Sequence, residues 1–174
     1  MKLHIGGEET KEGWKILNIQ KKPGVDFIGD ITDLSQFDDE TVEEVYASHV
    51  LEHIGIAKIS STFNGIQRVL KKGGKFYISV PNLDTLAQIF VKIPEGQNKY
   101  TIMTMIYGGQ TDSHDFHYIG YWPNLLFSAL IKAKFKRYER VEFFNIFNDT
   151  SMATLPTLNG AVVPVSLNVI AYKD

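Results

Sequence analysis

Two short apolar stretches, Glu43 to Ala47 and Lys75 to Val80, enclose a segment whose apolar residues recur at helical spacing, and this limits the fold more than any other feature. Ile56, Ile59, Phe63, Ile66, Val69 and Leu70 share one face of an expected helix. The pair Gly73-Gly74 is expected to stop it, leaving Lys71 and Lys72 in the last turn, where the helix dipole favours cations. Strand, helix and strand in this order make a βαβ unit, which needs a parallel sheet with helices packed on it.

The remaining pattern extends that sheet. Strands are expected at Lys2 to Ile5, Lys15 to Ile19 and Val25 to Ile28 before the unit, and at Lys136 to Phe143 and Val162 to Tyr172 after it. The last alternates Val163, Val165, Leu167, Val169 and Ala171 with period two, behind an Asn159-Gly160 turn signal. About ten residues separate the first two strands, close to the minimum for a parallel crossover, so the first helix is expected to shrink to a turn or loop. Helices are expected at Leu83 to Lys92, capped by Asn82 or Asp84, around Tyr100 to Tyr107, and at Pro123 to Ala133. Pro94 to Tyr121 is the least regular stretch, and long loops in compact domains tend to be functional.

Composition narrows the function classes. A chain of 174 residues suits a single domain over 1–174. The absence of Cys excludes disulfides, thiolate metal sites and cysteine nucleophiles. A formal charge of −2, with the one basic stretch from Lys132 to Arg140 interleaved with Ala, Phe and Tyr, does not imply a nucleic-acid partner. No stretch approaches the roughly 18 apolar residues of a membrane span, and the N-terminus lacks a signal-peptide run, so a soluble cytoplasmic protein is expected, with no membrane partner. Because the first strand begins at Lys2, no preceding helix is expected to cover the strand ends.

The wording of the central unit carries more than its periodicity. Ser48-His49-Val50-Leu51-Glu52-His53, then Arg68-Val69-Leu70-Lys71-Lys72-Gly73-Gly74, then Phe76-Tyr77-Ile78-Ser79-Val80-Pro81 resemble the class I S-adenosylmethionine-dependent methyltransferases, in particular a small branch reading SHVLEH and RVLKPGG. The resemblance implies an α/β, Rossmann-like methyltransferase fold, a mostly parallel seven-stranded sheet with an antiparallel last strand. It also implies S-adenosylmethionine as cofactor and methyl transfer to an acceptor that the sequence leaves unknown.

Carried over position by position, the resemblance places the cofactor against Gly6, Gly7, Glu8, Asn18, Asp30, Ile31, Ser48 and His49. Asp30 matches a position that faces the adenine amino group, and Ile31 is placed to cover the ring. Two positions depart from the family pattern. Glu8 stands where a second glycine lets the backbone approach the ligand, and Asn18 replaces the acidic residue that would bind both ribose hydroxyls, so weaker binding is expected. The bland readings stand beside these, Gly6-Gly7 as a structural turn and Asn18 as a strand-end cap.

Methyl transfer asks mainly for proximity and, where the nucleophile is protonated, a base. His49, Asp115 and His117 are the candidates for that base, with Tyr107 and Tyr121 as walls or hydrogen-bond donors and Tyr107-Gly108-Gly109-Gln110-Thr111-Asp112 as a loop that approaches the substrate. An open site suits a bulky acceptor such as a sugar or a carrier-linked glycan. A rival lies in the same residues, since His49-Val50-Leu51-Glu52-His53 fits the His-x-x-Glu-His pattern of inverted zinc peptidases, with two histidines and a general base on one helix. The expected arrangement puts His49 at a strand end and Glu52 and His53 at a helix start, so no metal ligand is assigned. Across classes, the alternative to an enzyme is a degenerate methyltransferase-like module that has lost its cofactor and serves as a binding or regulatory protein, an alternative that Glu8 and Asn18 motivate.

Overall fold

The computed structural model describes residues 1–157 and 161–174, and the Asn159-Gly160 turn signal lies outside the described residues. In chain order the elements are β1 (Lys2–Ile5), β2 (Trp14–Asn18), β3 (Phe27–Ile28), β4 (Val42–Ser48), α1 (Ile59–Val69) and β5 (Leu70–Pro81). They continue with α2 (Leu83–Lys92), α3 (Gln97–Tyr107), α4 (Pro123–Lys132), β6 (Arg137–Val141), β7 (Thr154–Pro156), β8 (Val162–Pro164) and β9 (Ser166–Tyr172). Seven strands form one sheet in the order β3-β2-β1-β4-β5-β9-β6, while β7 and β8 pair separately as a hairpin. β1 to β5 pair in parallel, and β9 runs antiparallel to both β5 and β6. The Rossmann-like fold with an antiparallel last strand is therefore as the sequence implies, and the β1–β2 connection holds no helix.

The central strands are apolar because both faces of the sheet are covered. On one face α1 and α4 pack on β1, β4, β5 and β9, with Phe63, Ile66, Val69, Leu126 and Leu130 each 1 % exposed or less. The other face carries Trp14, Tyr46, Tyr77 and Phe147, joined by Phe144, Ile146 and Ile170. There the loop bearing Phe144 and Phe147 covers the sheet, because the short β1–β2 connection supplies no helix to do so. A third cluster of Leu86, Ile89, Ile102 and Val165 joins α2, α3 and the hairpin into a lobe over the end of β5.

Three local expectations differ. α1 ends at Val69, and Leu70 is already extended and paired with Val42, so Gly73-Gly74 does not stop the helix. Leu70 is fully buried in the sheet. The β4–β5 register shifts between Val42 and Glu44, and Gly73, at φ +74°, donates its N–H to the Lys173 carbonyl at 2.8 Å. Strand burial and those bonds outcompete a further helical turn, and Lys71 pairs with Glu43 at 2.8 Å instead of capping α1. Asn82 precedes α2 without a side-chain capping bond, and the chain is held by backbone bonds from Asn82 to Val165 and from Leu83 to Tyr121. The expected strand from Val162 to Tyr172 is two, because Pro164, which has no N–H to extend a ladder, closes β8 against β7 before β9 begins.

Candidate functional site

In an open parallel sheet, ligands bind beyond the carboxyl ends of the strands where the strand order reverses. Here that point lies between β1 and β4, flanked by Gly6 after β1 and His49 after β4. Gly6 takes φ +73°, and a Cβ there would press on the Val50 side chain. His49 takes φ +54°, a left-handed conformation uncommon outside glycine that turns the chain sharply from β4 into the single 3₁₀ turn Leu51–His53.

A cavity of about 570 Å³ runs along these strand ends. Gly6, Glu8, Asn18, Asp30, Ile31, His49 and Asp115 line it, so the structure gathers most of the residues singled out in the sequence. Gly7 and Ser48 are not part of its wall. Gly7 lies beneath the His4 ring, where any Cβ would collide with the imidazole, and its carbonyl accepts from Asn18 Nδ2 at 3.2 Å. Ser48 ends β4 in register with Ser79. Asn18 Oδ1 accepts from the Gln20 N–H at 2.9 Å, so its amide ties the β1–β2 loop to the chain leaving β2. Asp30 uses Oδ1 to accept from Thr32 N–H at 2.8 Å. Glu8 reaches across the cavity rim to an ion pair with Lys22, another wall residue.

A second cavity of about 270 Å³ adjoins the first and shares His49 and Asp115 with it. Pro81, Leu86, Met105, Ala153 and Val165 give it apolar lining, and Thr104, Thr150, His117, His49 and Asp115 add polar groups. His117 belongs to this cavity alone of the two. Burial pushes its pKa below the usual histidine value; the neighbouring His53 and His49 act in the same direction, against the Glu52 charge and a bond to the Met105 backbone. Asp115 is held below the usual carboxylate range chiefly by the Thr111 hydroxyl, which donates at 2.8 Å. Its backbone and side chain also order the 107–117 loop, accepting from Gln110 and Thr111 N–H. Tyr107 is exposed and Tyr121 is buried, and neither lines either of these two cavities.

His49 is fixed from two sides. Its Nε2 lies 3.0 Å from Ser166 Oγ, and Ser166 donates its own hydrogen to the Thr150 carbonyl at 2.9 Å, so the His49 nitrogen is the donor. Its Nδ1 is 3.2 Å from Glu52 Oε1, close enough for an ion pair but not aligned as a hydrogen bond. Glu52 and His53, expected to cap the following helix, make no side-chain cap, since α1 starts only at Ile59. The helix that the inverted-peptidase pattern requires is likewise not there: His49 leaves a strand and Leu51–His53 is one turn. Sequence reasoning missed Tyr118 and Lys22 on the larger cavity and Met105, Thr150 and Val165 on the smaller, and it named His53 only in the peptidase pattern and at a helix start.

Comparisons with known proteins agree with this geometry. A family model described as a methyltransferase domain matches residues 9–78. The fold is that of a SAM dependent methyltransferase from Archaeoglobus fulgidus, at 16 % identity and TM-score 0.60 over 98 % of this chain and 85 % of that one. It is also similar to a putative methyltransferase of Haloferax volcanii solved with the Trm112 activator, at 15 % identity and TM-score 0.57 over 98 % and 80 %. Human N-acetylserotonin methyltransferase, solved with SAM, aligns at 16 % identity and TM-score 0.50 over 92 % of this chain and 41 % of that one. At such identities the likeness is one of fold. No curated protein sequence matches the chain. No helix among the described residues is long and apolar enough to cross a membrane.

Proposed function

We propose that this chain, a relative of the class I S-adenosylmethionine-dependent methyltransferases, binds that cofactor in the cavity of about 570 Å³ and methylates an acceptor seated in the adjoining one of about 270 Å³. The observation that carries this is that the two cavities meet at His49 and Asp115. S-adenosylmethionine supplies an electrophilic methyl on a sulfonium, and what remains for the protein is to align an acceptor with it and receive a proton.

The larger cavity fits the cofactor in its chemistry. The Asp30 carboxylate can accept from an adenine amino group, with Ile31 as the apolar surface beside the ring. Asn18 reaches the ribose region already engaged by Gly7 and Gln20, so it grips less strongly than a free carboxylate would. Glu8 and Lys22 pair at the rim, exposed to solvent, where such a pair contributes little to stability and can open to a charged ligand.

In the smaller cavity His117, kept from protonation by burial, and Asp115, kept ionised, face the acceptor as proton acceptors. His49, anchored through Nε2 on Ser166, positions the wall between the cavities. A lining that mixes apolar side chains with hydroxyl, imidazole and carboxylate groups suits a ring with C–H faces and a hydroxyl rim, and a sugar, free or carried on a glycan, is the acceptor class we assign to it. A cytoplasmic location and a single domain over 1–174 are part of the proposal.

Calorimetric titration with S-adenosylmethionine and S-adenosylhomocysteine tests the reading. Micromolar binding, about −8 kcal/mol, followed by methyl transfer to a sugar panel, is the expected result. No binding up to millimolar cofactor overturns it in favour of a cofactor-free binding module. Transfer to small free metabolites but not to sugars or glycans removes the acceptor class alone.

A further inference from the structure

We propose that Glu52, His53 and His117 form a site for one divalent transition-metal ion, with zinc the ion that the donor set fits best. Among the described residues, one group of three histidine and carboxylate ligand atoms lies within 4.8 Å of one another, and it is this one. Ligands of a bound zinc stand about 2.0–2.2 Å from the ion and hence about 3–4 Å apart, so the group needs to contract by about an ångström. Two imidazoles and one carboxylate, with further positions open, suit zinc better than magnesium, which prefers an all-oxygen shell and keeps its waters.

Glu52 supplies the independent observation. Its side chain is 1 % exposed, and neither carboxylate oxygen has a hydrogen-bond partner. A carboxylate taken out of water without hydrogen bonds is costly unless a cation faces it, and the nearest candidate, His49 Nδ1 at 3.2 Å, is out of line. Tyr121 lies close by with a buried hydroxyl that also lacks a partner. The carboxylate thus faces the His49, His53 and His117 rings, with the Tyr121 hydroxyl near it.

Both imidazoles have a backbone partner. His53 Nδ1 lies 3.1 Å from the Phe116 carbonyl, which only accepts, so that nitrogen bears the hydrogen and Nε2 keeps its lone pair. The His117 ring is bonded to the Met105 backbone. Metal-bound histidines nearly always donate their second ring N–H to such an oxygen. The Tyr118 N–H donates to the Glu52 carbonyl at 2.8 Å and zips the turn after β4 to the 116–118 segment, which sets the His53 and His117 rings edge to face at 4.7 Å.

The site falls between the two cavities, with His53 on the wall of one and His117 on the wall of the other. If the methyl-transfer reading holds, an ion here would bind an oxygen of the acceptor, favouring acceptors with adjacent hydroxyls, and Asp115 would be the proton acceptor left free. That consequence rests on the methyl-transfer reading; the metal site does not.

Chelator-treated protein titrated calorimetrically with zinc, and with cobalt(II) as a visible-absorption probe, tests the site without cofactor. One equivalent of zinc, with His53→Gln and His117→Gln each losing more than the roughly 10–100-fold that removal of an outer-shell partner costs, is expected. Glu52→Gln should lose binding too, but it alters a buried group, so the half-buried His53→Gln with an unchanged melting curve carries the decision. No zinc uptake up to millimolar metal, uptake unaffected by both histidine variants, or magnesium binding as tightly as zinc overturns the proposal. S-adenosylmethionine binding by metal-free protein is measured separately, so failure of the metal site and failure of the methyltransferase reading are told apart.

Discussion

His49 and Ser166 stand 117 residues apart in the chain and meet at 3.0 Å, tying the turn after β4 to the first residue of β9. The bond fixes the imidazole that separates the two cavities, in a backbone conformation that only its surroundings hold in place.

Ser166→Ala removes that anchor and leaves the Thr150 carbonyl without its donor. A loss of about 1–3 kcal/mol in unfolding free energy is expected. Methyl transfer should fall about tenfold while cofactor affinity changes little, because His49 positions the wall between the cavities. Denaturant unfolding with calorimetry and an activity assay checks this, and an equal loss of affinity and rate would place His49 in cofactor binding instead.

Asn18→Asp restores the acidic residue of the family pattern, yet the structure predicts a cost. The amide donates to the Gly7 carbonyl at 3.2 Å, and a carboxylate would set oxygen against oxygen in a site 8 % exposed. Stability is expected to drop by about 1–3 kcal/mol. Urea unfolding of the variant at neutral pH is the measurement, and unchanged stability would show that the amide does not brace the loop.

His4, 5 % exposed and stacked on Phe147 at 4.0 Å, is held by burial at a pKa of about 4, against the raising influence of Asp149 and the Glu9 backbone. The unfolded chain takes up a proton near the usual 6.5 while the folded one does not, so stability is full above 6.5 and is lost as pH falls toward 4. Between pH 7.5 and 5 this residue should account for about 2 kcal/mol of lost stability. Unfolding measured at both pH values in the wild type and in His4→Phe checks this, and the variant should lose that part of the acid sensitivity.

Gly7→Ala would drive a methyl group into the His4 ring. Overpacking of this kind costs about 1–3 kcal/mol. Combined with His4→Ala, which removes the ring, the substitution should cost little, and a double-mutant cycle reads the coupling. Additive effects would show that the close approach is not what requires glycine here.

Local sequence determined what local physics can determine. The period of apolar residues set α1 and its neighbouring strands, the short β1–β2 connection removed a helix, and the residues from Gly6 to His49 that follow strand ends came to one cavity because a parallel sheet puts all such ends on one edge. What tertiary structure decided lies wherever a residue's partner is distant. Leu70 left the helix because a buried strand position and the Lys173 carbonyl beyond it held the chain more strongly than another turn. Gly7 faces His4 and not the cavity, and Asn18 is committed to the Gly7 carbonyl. Nor does any spacing in the sequence announce that His117 would stand beside Glu52 and His53, because the bond from Tyr118 to Glu52 and the burial of the carboxylate are made only when the loop closes over the strand ends. The sequence determined which residues stand at that edge, and packing between distant segments decided what each of them touches.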